Sequence, residues 1–354
     1  MFAIISDTHI GVHRSDPKYL KWTLEYADFL VKTMREKNCR HLFILGDVFH
    51  NRKEISTTAI ETARKFFTVL RDNDINVDII PGNHDCYYDS NTEVTSLALL
   101  SEWDNISVHY KPFDMNAIGV NGLLVPWGVD LTPFVGKGFG FVAGHFEITS
   151  FNMTATQVCE NGISSDMLFG VAPIVFSGHF HLRAERNYKN GKNKIIYVGS
   201  PFELDWGDYG SAKGIYFFDP KSCKYSFVEN NVSPKHIKLL VDGGTFSDKE
   251  KLQEFKTTLA SVRGNIVKLC SDESSKMKQK DLQKVIEIVG SLEPGELTCE
   301  MKSIVDPENI AEIKISGSLE PRDALMAYIE QTCTSNVDEI KKIVMDLYSQ
   351  TKRG

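Results

Sequence analysis

The sequence predicts an α/β protein: a large sheet-based domain, a smaller α/β module, and a tail of two helices. Three observations predict it. Short apolar runs alternate with segments of helical periodicity from the first residues to about residue 230. Five of those runs end in polar clusters: Asp7-Thr8-His9, Asp47, Asn83-His84-Asp85, His145 and His179-Phe180-His181. Beyond Pro234 the alternation resumes on a smaller scale, then gives way to two amphipathic stretches.

A chain of 354 residues can build one large domain and one or two small ones. Its 42% hydrophobic and 25% charged residues are ordinary for a globular protein, and its net charge of -7 excludes a surface that coats nucleic acid by general basicity. The excess acid lies mainly before residue 235, where 27 Asp and Glu face 22 Lys and Arg. Several of those acids are candidate metal ligands, and bound dications would offset them, so a DNA substrate stays compatible with the charge. The seven cysteines (39, 86, 159, 223, 270, 299, 333) are odd in number and include no Cys-x-x-Cys pair, which points to reduced thiols. No stretch is long enough to span a membrane, and strand-like residues start at Phe2 without a basic leader, so a cytoplasmic protein is expected.

In order, residues 2–6 read as an apolar strand with Asp7 and His9 at its end, and positions i and i+2 of an extended chain would point both at one ion. Residues 18–36 have helical spacing (Leu20, Leu24, Ala27, Leu30, Val31, Met34). Residues 41–45 form a second buried strand, closed by Gly46-Asp47 on the same sheet edge as Asp7. Thr58 and Glu61 read as a capping box for a helix running to Arg71. Strand 77–80 is ended by Pro81-Gly82 and delivers Asn83, His84 and Asp85. Residues 93–103 read as a helix, with short strands at 106–108 and 123–125. Apolar residues 139–143 lead to His145, and 174–177 lead to His179 and His181, an alternate pair expected on one side of an extended chain. Asn190-Gly191 is a hairpin turn between strand-like flanks, and strands at 195–198, 214–219 and 225–229 complete the first domain.

Asn230 to Pro234 marks a boundary, giving domains at 1–232, 235–304 and 305–354. The middle one alternates strands (236–241, 265–269, 296–301) with helices (249–262, 278–289), and Lys276, Lys278, Lys280 and Lys284 form its basic cluster. The tail helices span 320–332 and 337–349, with Ser335 as N-cap of the second.

Asp7, His9, Asp47, Asn83, His145, His179 and His181 all follow strands, and loops at the carboxyl ends of neighbouring strands converge. Seven nitrogen and oxygen donors exceed the needs of one ion and suit two, with a carboxylate bridging. Such pairs clamp a phosphate for in-line attack by water. Imidazole, carboxylate and carboxamide without thiolate favour Mn(II), Fe(II) or Zn(II) over a magnesium site. His84 can donate a proton near neutral pH, with Asp85 placed to hold its imidazole. His50, three residues after Asp47, is expected to be functional rather than a loop histidine.

The ordered set Asp-x-His, Gly-Asp, Gly-Asn-His-Asp, Gly-His and Gly-His-x-His resembles the calcineurin-like metallophosphoesterase superfamily, and within it the SbcD nucleases of bacteria with their Mre counterparts, including those of T-even-type phages. Leu45 to His50 resembles that family's Gly-Asp-[aliphatic]-Phe segment. Tyr197-Val198-Gly199-Ser200-Pro201, Trp206-Gly207-Asp208 and Lys213-Gly214 are similar to its Tyr-x-Gly-Ser-Pro, Phe-Gly-Glu and Lys-Gly run. Two departures stand out. The proline usual after Gly-Asp is missing at Lys53-Glu54-Ile55, and Trp206 and Asp208 replace Phe and Glu.

The resemblance implies a four-layer α-β-β-α sandwich with an α/β cap that binds DNA. It implies two metal ions, with Mn2+ expected and Mg2+, Fe2+ or Zn2+ as alternatives. One ion would take Asp7, His9, Asp47 and His181, and the other Asp47, Asn83, His145 and His179. His84 would protonate the leaving oxygen, and His50 would orient the DNA phosphate. Arg14, Arg52, Arg183, Arg186 and Lys189 are expected phosphate contacts. The implied activity is a double-strand exonuclease and single-strand endonuclease in DNA repair, recombination and replication, in a bacterial or phage-infected cell. The implied partners are a second copy of the chain and an SbcC-type coiled-coil ATPase gripped by the tail.

Three rival readings remain. A cyclic-nucleotide or other small-molecule phosphodiesterase would share the ligand motifs but need no cap or tail. A Ser/Thr phosphatase would carry Gly-Asn-His-Glu where this chain has Asp85. A non-catalytic scaffold would be expected to lack ligands, and none is missing.

Overall fold

The computed structural model of the chain describes residues 1–300 apart from 89–91, 93, 155, 246 and 271–278. The expected tail helices, the segment 305–354 and the cluster members Lys276 and Lys278 lie outside the described residues.

Strands β1 (Phe2–Ile5), β2 (His41–Leu45), β3 (Asn76–Ile80) and β4 (Ile106–Val108) pair in parallel, each with the next. The helices Pro17–Glu36 and Thr57–Arg71 supply the crossovers. A second sheet holds β5 (Phe113–Asp114), β6 (Gly122–Val125), β7 (Phe141–His145), β8 (Ile174–Gly178), β9 (Ala184–Tyr188) and β10 (Asn193–Tyr197), in the order β5-β6-β7-β8-β10-β9. Strands β11 (Gly214–Asp219) and β12 (Lys224–Glu229) then return antiparallel to the open edge of the first sheet, giving β12-β11-β1-β2-β3-β4.

Strand alternation divides the apolar residues between three cores. Ala3, Ile5, Leu42 and Ile44 face the two long helices with Leu30, Met34, Phe66 and Phe67. Their neighbours Phe2, Ile4, Phe43 and Leu45, with Phe218 of the same sheet, face the second sheet, meeting Phe141, Phe176 and Ile196. The outer face of the second sheet packs Val142, Val175, Ile195 and Tyr197 against Leu168 and Val171 of the helix Ser165–Val171 and against loops. The central strands of both sheets are thus buried on two faces, which is why they read as apolar runs. The architecture is the expected α-β-β-α sandwich, with one outer layer thin.

Two local expectations change. Ser56, not Thr58, caps the helix Thr57–Arg71, its hydroxyl accepting from Ala59 N at 3.1 Å. Among the described residues of 93–103, the regular structure is a 3-10 turn at Ser96–Leu100, opened by the Thr95 side chain. The missing proline after Gly-Asp is compensated by Asn51, whose side-chain oxygen accepts from Lys53 N and Glu54 N at 3.1 and 3.4 Å.

The first compact unit comprises Met1–Leu239, Thr257–Lys268 and Leu292–Cys299. Among the described residues the second comprises 240–245, 247–256, 269–270, 279–291 and Glu300. The segment expected as a separate cap is therefore shared between them. Its regular elements are β13 (His236–Leu240), β14 (Ile266–Cys270), β15 (Glu296–Glu300) and the helices Lys249–Leu259 and Gln279–Gly290.

Candidate active site

The parallel strands β1, β2, β3, β7 and β8 end along one rim, and the polar clusters converge there. The backbone is knitted tightly. Asp7 N donates to Gly46 O at 3.1 Å, and His9 N donates to Asp47 O at 3.0 Å. Gly46 has φ +88°, and a Cβ on it would lie 2.5 Å from His145 Nδ1. A Cβ on Gly82 would lie 2.2 Å from Asp47 Oδ1, so both positions require glycine.

Asp7 (φ 55°), His9 (φ 43°), Asp47 (φ 53°) and His179 (φ 90°) all adopt the left-handed region. Each costs about 1–3 kcal/mol, a strain that gathers at functional sites. It also corrects two expectations. Asp7 and His9 do not converge as alternate residues of an extended strand, because β1 ends at Ile5 and the chain turns at each of them. His179 and His181 likewise part into different groups, since β8 ends at Gly178.

Two donor groups result, each with ligand atoms within 4.8 Å of one another: Asp7, His9 and His181, and Asp47, His145 and His179. Asp47 faces both, with Oδ2 at 3.6 Å from His9 Nε2 and 3.4 Å from His145 Nε2. Asn83 Oδ1 joins the second, 2.9 Å from His145 Nε2 and 3.0 Å from His179 Nδ1. In the first, His9 Nε2 and His181 Nε2 face each other at 3.0 Å. A third group of imidazoles, His9, His50 and His84, adjoins them.

Backbone contacts orient the rings. His145 Nδ1 donates to Leu45 O at 2.7 Å, which turns Nε2 inward. His84 Nδ1 donates to His50 O at 2.7 Å, and His84 N donates to Asp47 Oδ1 at 2.8 Å. The Asp7 carboxylate accepts from His179 N at 3.1 and 3.2 Å. Asp85 behaves differently from the expectation. Its carboxylate does not hold His84; it accepts from Val48 N, Phe49 N and Gly82 N at 3.0, 3.2 and 3.0 Å. Lying just beyond the Pro81-Gly82 turn, it ties the loop after β3 to the loop after β2.

Burial governs the charges. It raises Asp7, and it drives His9 well below its ordinary value, reinforced by His181. Burial also lowers His179 to about 3, with His145 adding to the effect, and lowers His50, with His84 adding. Burial alone would raise Asp47, but the His145 and His9 imidazoles hold it below the usual carboxylate range. Burial pulls His145 down, yet the Asp47 carboxylate beside it raises it to about 9. Asp85 is pushed up to about 7 by burial and then by the Asp47 charge.

Buried carboxylates are costly unless paired or bound to metal. Here two of them face imidazole nitrogens and a carboxamide oxygen, a hard-to-borderline set without thiolate. The residues present fit metal ions held in these two groups, both of which Asp47 faces.

The basic candidates fare less well. Arg183 donates to Glu185 Oε1 and Tyr216 OH, both at 2.9 Å, and stacks on Phe227. Arg186 lies over the Phe151 ring at 4.0 Å. Lys189 sits in the turn between β9 and β10; because β10 runs parallel to β8, that turn is at the opposite end of the sheet from His179 and His181. Arg183 and Arg186 are thus engaged within the chain, and Lys189 lies away from the rim. Arg14 is exposed in a left-handed turn after Gly11, and Arg52 is partly buried beyond His50. Trp127 was not foreseen: its ring lies 5.0 Å from that of His179 and 5.8 Å from that of His145, and its N donates to Pro81 O at 3.0 Å. A lone Trp after a strand carries no signal of such a role in the sequence.

The fold and this cleft define a calcineurin-like phosphoesterase, and the chain belongs to that family, which it matches over residues 1–198. It is 27% identical over 236 residues to exonuclease subunit 1 of Enterobacteria phage T4, covering 65% of this chain and 67% of that protein. Among solved structures it is similar to a dimetal phosphatase from Danio rerio, at 12% identity and TM-score 0.37, over 61% of this chain and 90% of that one. It is also similar to nuclease MPE from Pseudomonas putida, at 18% identity and TM-score 0.30, over 61% and 84% of the two chains. No helix among the described residues is long and apolar enough to cross a membrane.

Proposed function

We propose that this chain is a two-metal DNA nuclease, digesting duplex ends and cutting single strands. The observation that carries this reading is a full set of seven donors in two groups, on a chain similar to a phage exonuclease subunit. Asp7, His9, Asp47 and His181 would hold one ion, and Asp47, Asn83, His145 and His179 would hold the other. Mn2+ is the physiological choice that the donor set favours. Two such ions polarise the phosphodiester and acidify water for in-line attack.

The chain's own groups do the rest. His84, fixed through Nδ1 by the His50 carbonyl, keeps Nε2 free to give a proton to the leaving oxygen. His50 turns the phosphate of a duplex end into line, its backbone N anchored on Ile10 O at 3.1 Å. Asp85 holds the loops that carry both histidines. Arg14 and Arg52 remain the DNA contacts near the cleft. The name of the phage relative, a subunit, supports a partner. We assign that role to an SbcC-type ATPase bound by the segment 305–354, with DNA held by 235–304, in a homodimer acting in DNA repair and recombination in the cytoplasm.

The test uses purified chain with Mn2+ or Mg2+ on duplex DNA, single-stranded DNA and a cyclic nucleotide. Cleavage of both DNAs is expected. Turnover of the cyclic nucleotide without DNA cleavage would replace this reading with a small-molecule phosphodiesterase.

A further inference from the structure

Ser200, Asp208 and Lys213 lie far from the ligand motifs in sequence, yet they meet at His181. Lys213 and Asp208 are buried, with side chains 5% and 2% exposed. The ammonium donates to Asp208 Oδ1 at 2.9 Å, to Ser200 Oγ at 2.9 Å and to the His181 carbonyl at 2.6 Å. That carbonyl also accepts from Ser200 N at 3.2 Å. A Cβ on Gly199 (φ +77°) would come within 2.7 Å of the same oxygen, so the approach is as close as a glycine permits. Asp208 Oδ2 accepts from Leu204 N at 2.8 Å and faces His181 Nδ1 at 3.9 Å.

A buried ion pair is weak evidence for stability, since well-packed apolar residues usually serve as well. This pair spends its donors on a metal-ligand candidate. An imidazole that coordinates through Nε2 must carry its proton on Nδ1, and a carboxylate facing Nδ1 selects that tautomer. Here Nε2 is the His181 atom aimed into the cleft, toward His9, and Nδ1 is the atom facing Asp208. At 3.9 Å the two atoms face each other at ion-pair distance, beyond a direct hydrogen bond.

We propose that Lys213 and Asp208 are positioning residues for His181: Lys213 pins its backbone, and Asp208 fixes the tautomer and orientation of its ring. The pair thereby sets the affinity of the ion shared by Asp7, His9 and Asp47, without touching substrate. This rests on the reading of His181 as a ligand.

The experiment titrates Mn2+ into the metal-free full chain and reads free Mn2+ by paramagnetic resonance, with no activity involved. Wild type is expected to bind two ions. Asp208→Asn and Lys213→Met should weaken one ion by about 10–100-fold and spare the other. Asp208→Glu, which keeps the charge, should retain both. Variants that lose thermal stability but bind both ions as wild type does would overturn the inference. His181→Gln separates the layers. If it loses one ion while Asp208→Asn and Lys213→Met lose none, the positioning role alone fails; if it loses neither, the ligand reading fails with it. Imidazole nitrogen resonances of Zn2+-loaded wild type give a second measurement that needs no substitution in the pair. His181 protonated on Nδ1 is expected, and protonation on Nε2 would overturn the proposal.

Discussion

Replacing Asp47 with Asn should disarm both halves of the cleft at once. Oδ1 of Asp47 accepts from His84 N at 2.8 Å, so the new amide keeps its oxygen there. Its NH2 then takes the place of Oδ2, 3.6 Å from His9 Nε2 and 3.4 Å from His145 Nε2. An amide nitrogen cannot ligate, and the charge is gone. Losing one ligand atom and its charge is expected to cost each ion about tenfold in affinity, or about 1.4 kcal/mol. Two weakened positions predict a loss of about 10²-fold for the pair, with cleavage abolished on every DNA substrate. Calorimetric Mn2+ titration beside cleavage of labelled oligonucleotides reads both quantities, and circular dichroism checks the fold. Wild-type metal affinity with wild-type cleavage in Asp47→Asn would refute the reasoning.

His84→Ser should retain both ions while slowing hydrolysis about 10²–10⁴-fold, the worth of a positioned general acid. His50→Ser should cripple digestion of duplex ends and spare single strands; equal loss on both would make His50 a general catalytic group. His145, held up at about 9 by Asp47, is protonated at neutral pH in the metal-free chain and must release that proton to bind an ion. Its raised value stabilises the metal-free fold fully below the ordinary 6.5, a contribution lost as pH rises through about 9. Mn2+ binding should therefore release a proton at pH 7 and progressively less above pH 9, as calorimetry in buffers of different ionisation enthalpy would detect; pH-independent release would contradict it. Deleting residues 318–354 should spare single-strand cleavage and abolish co-purification with the ATPase; retained pull-down would remove the tail from that role.

The sandwich was legible because its physics is local. Strands buried on both faces are apolar throughout, and the polar residues ending them, Asp7, Asp47, Asn83, His145 and His179, mark one rim. What sequence could not reveal depends on backbone turns and on neighbours distant in the chain. The left-handed residues Asp7 and His179 break the strand periodicity that predicted how their neighbours point. Asp85 follows His84 in sequence, but its carboxylate accepts from the amides of Val48 and Phe49 on another loop and of Gly82. Arg183 and Arg186 look like phosphate contacts until Tyr216, Phe227 and Phe151 are placed beside them. Lys189 was misjudged through topology, since distance in sequence from His181 says nothing about which end of β10 a hairpin closes.

Metal-stripped protein offers the most direct test. The purified chain is freed of metal by chelation, then titrated with Mn2+ while hydrolysis of a single-stranded oligonucleotide and bound metal are followed together. No hydrolysis is expected in chelator, with activity appearing only once two ions are bound. Undiminished hydrolysis in chelator, or full activity with a single ion bound, would contradict a two-metal nuclease.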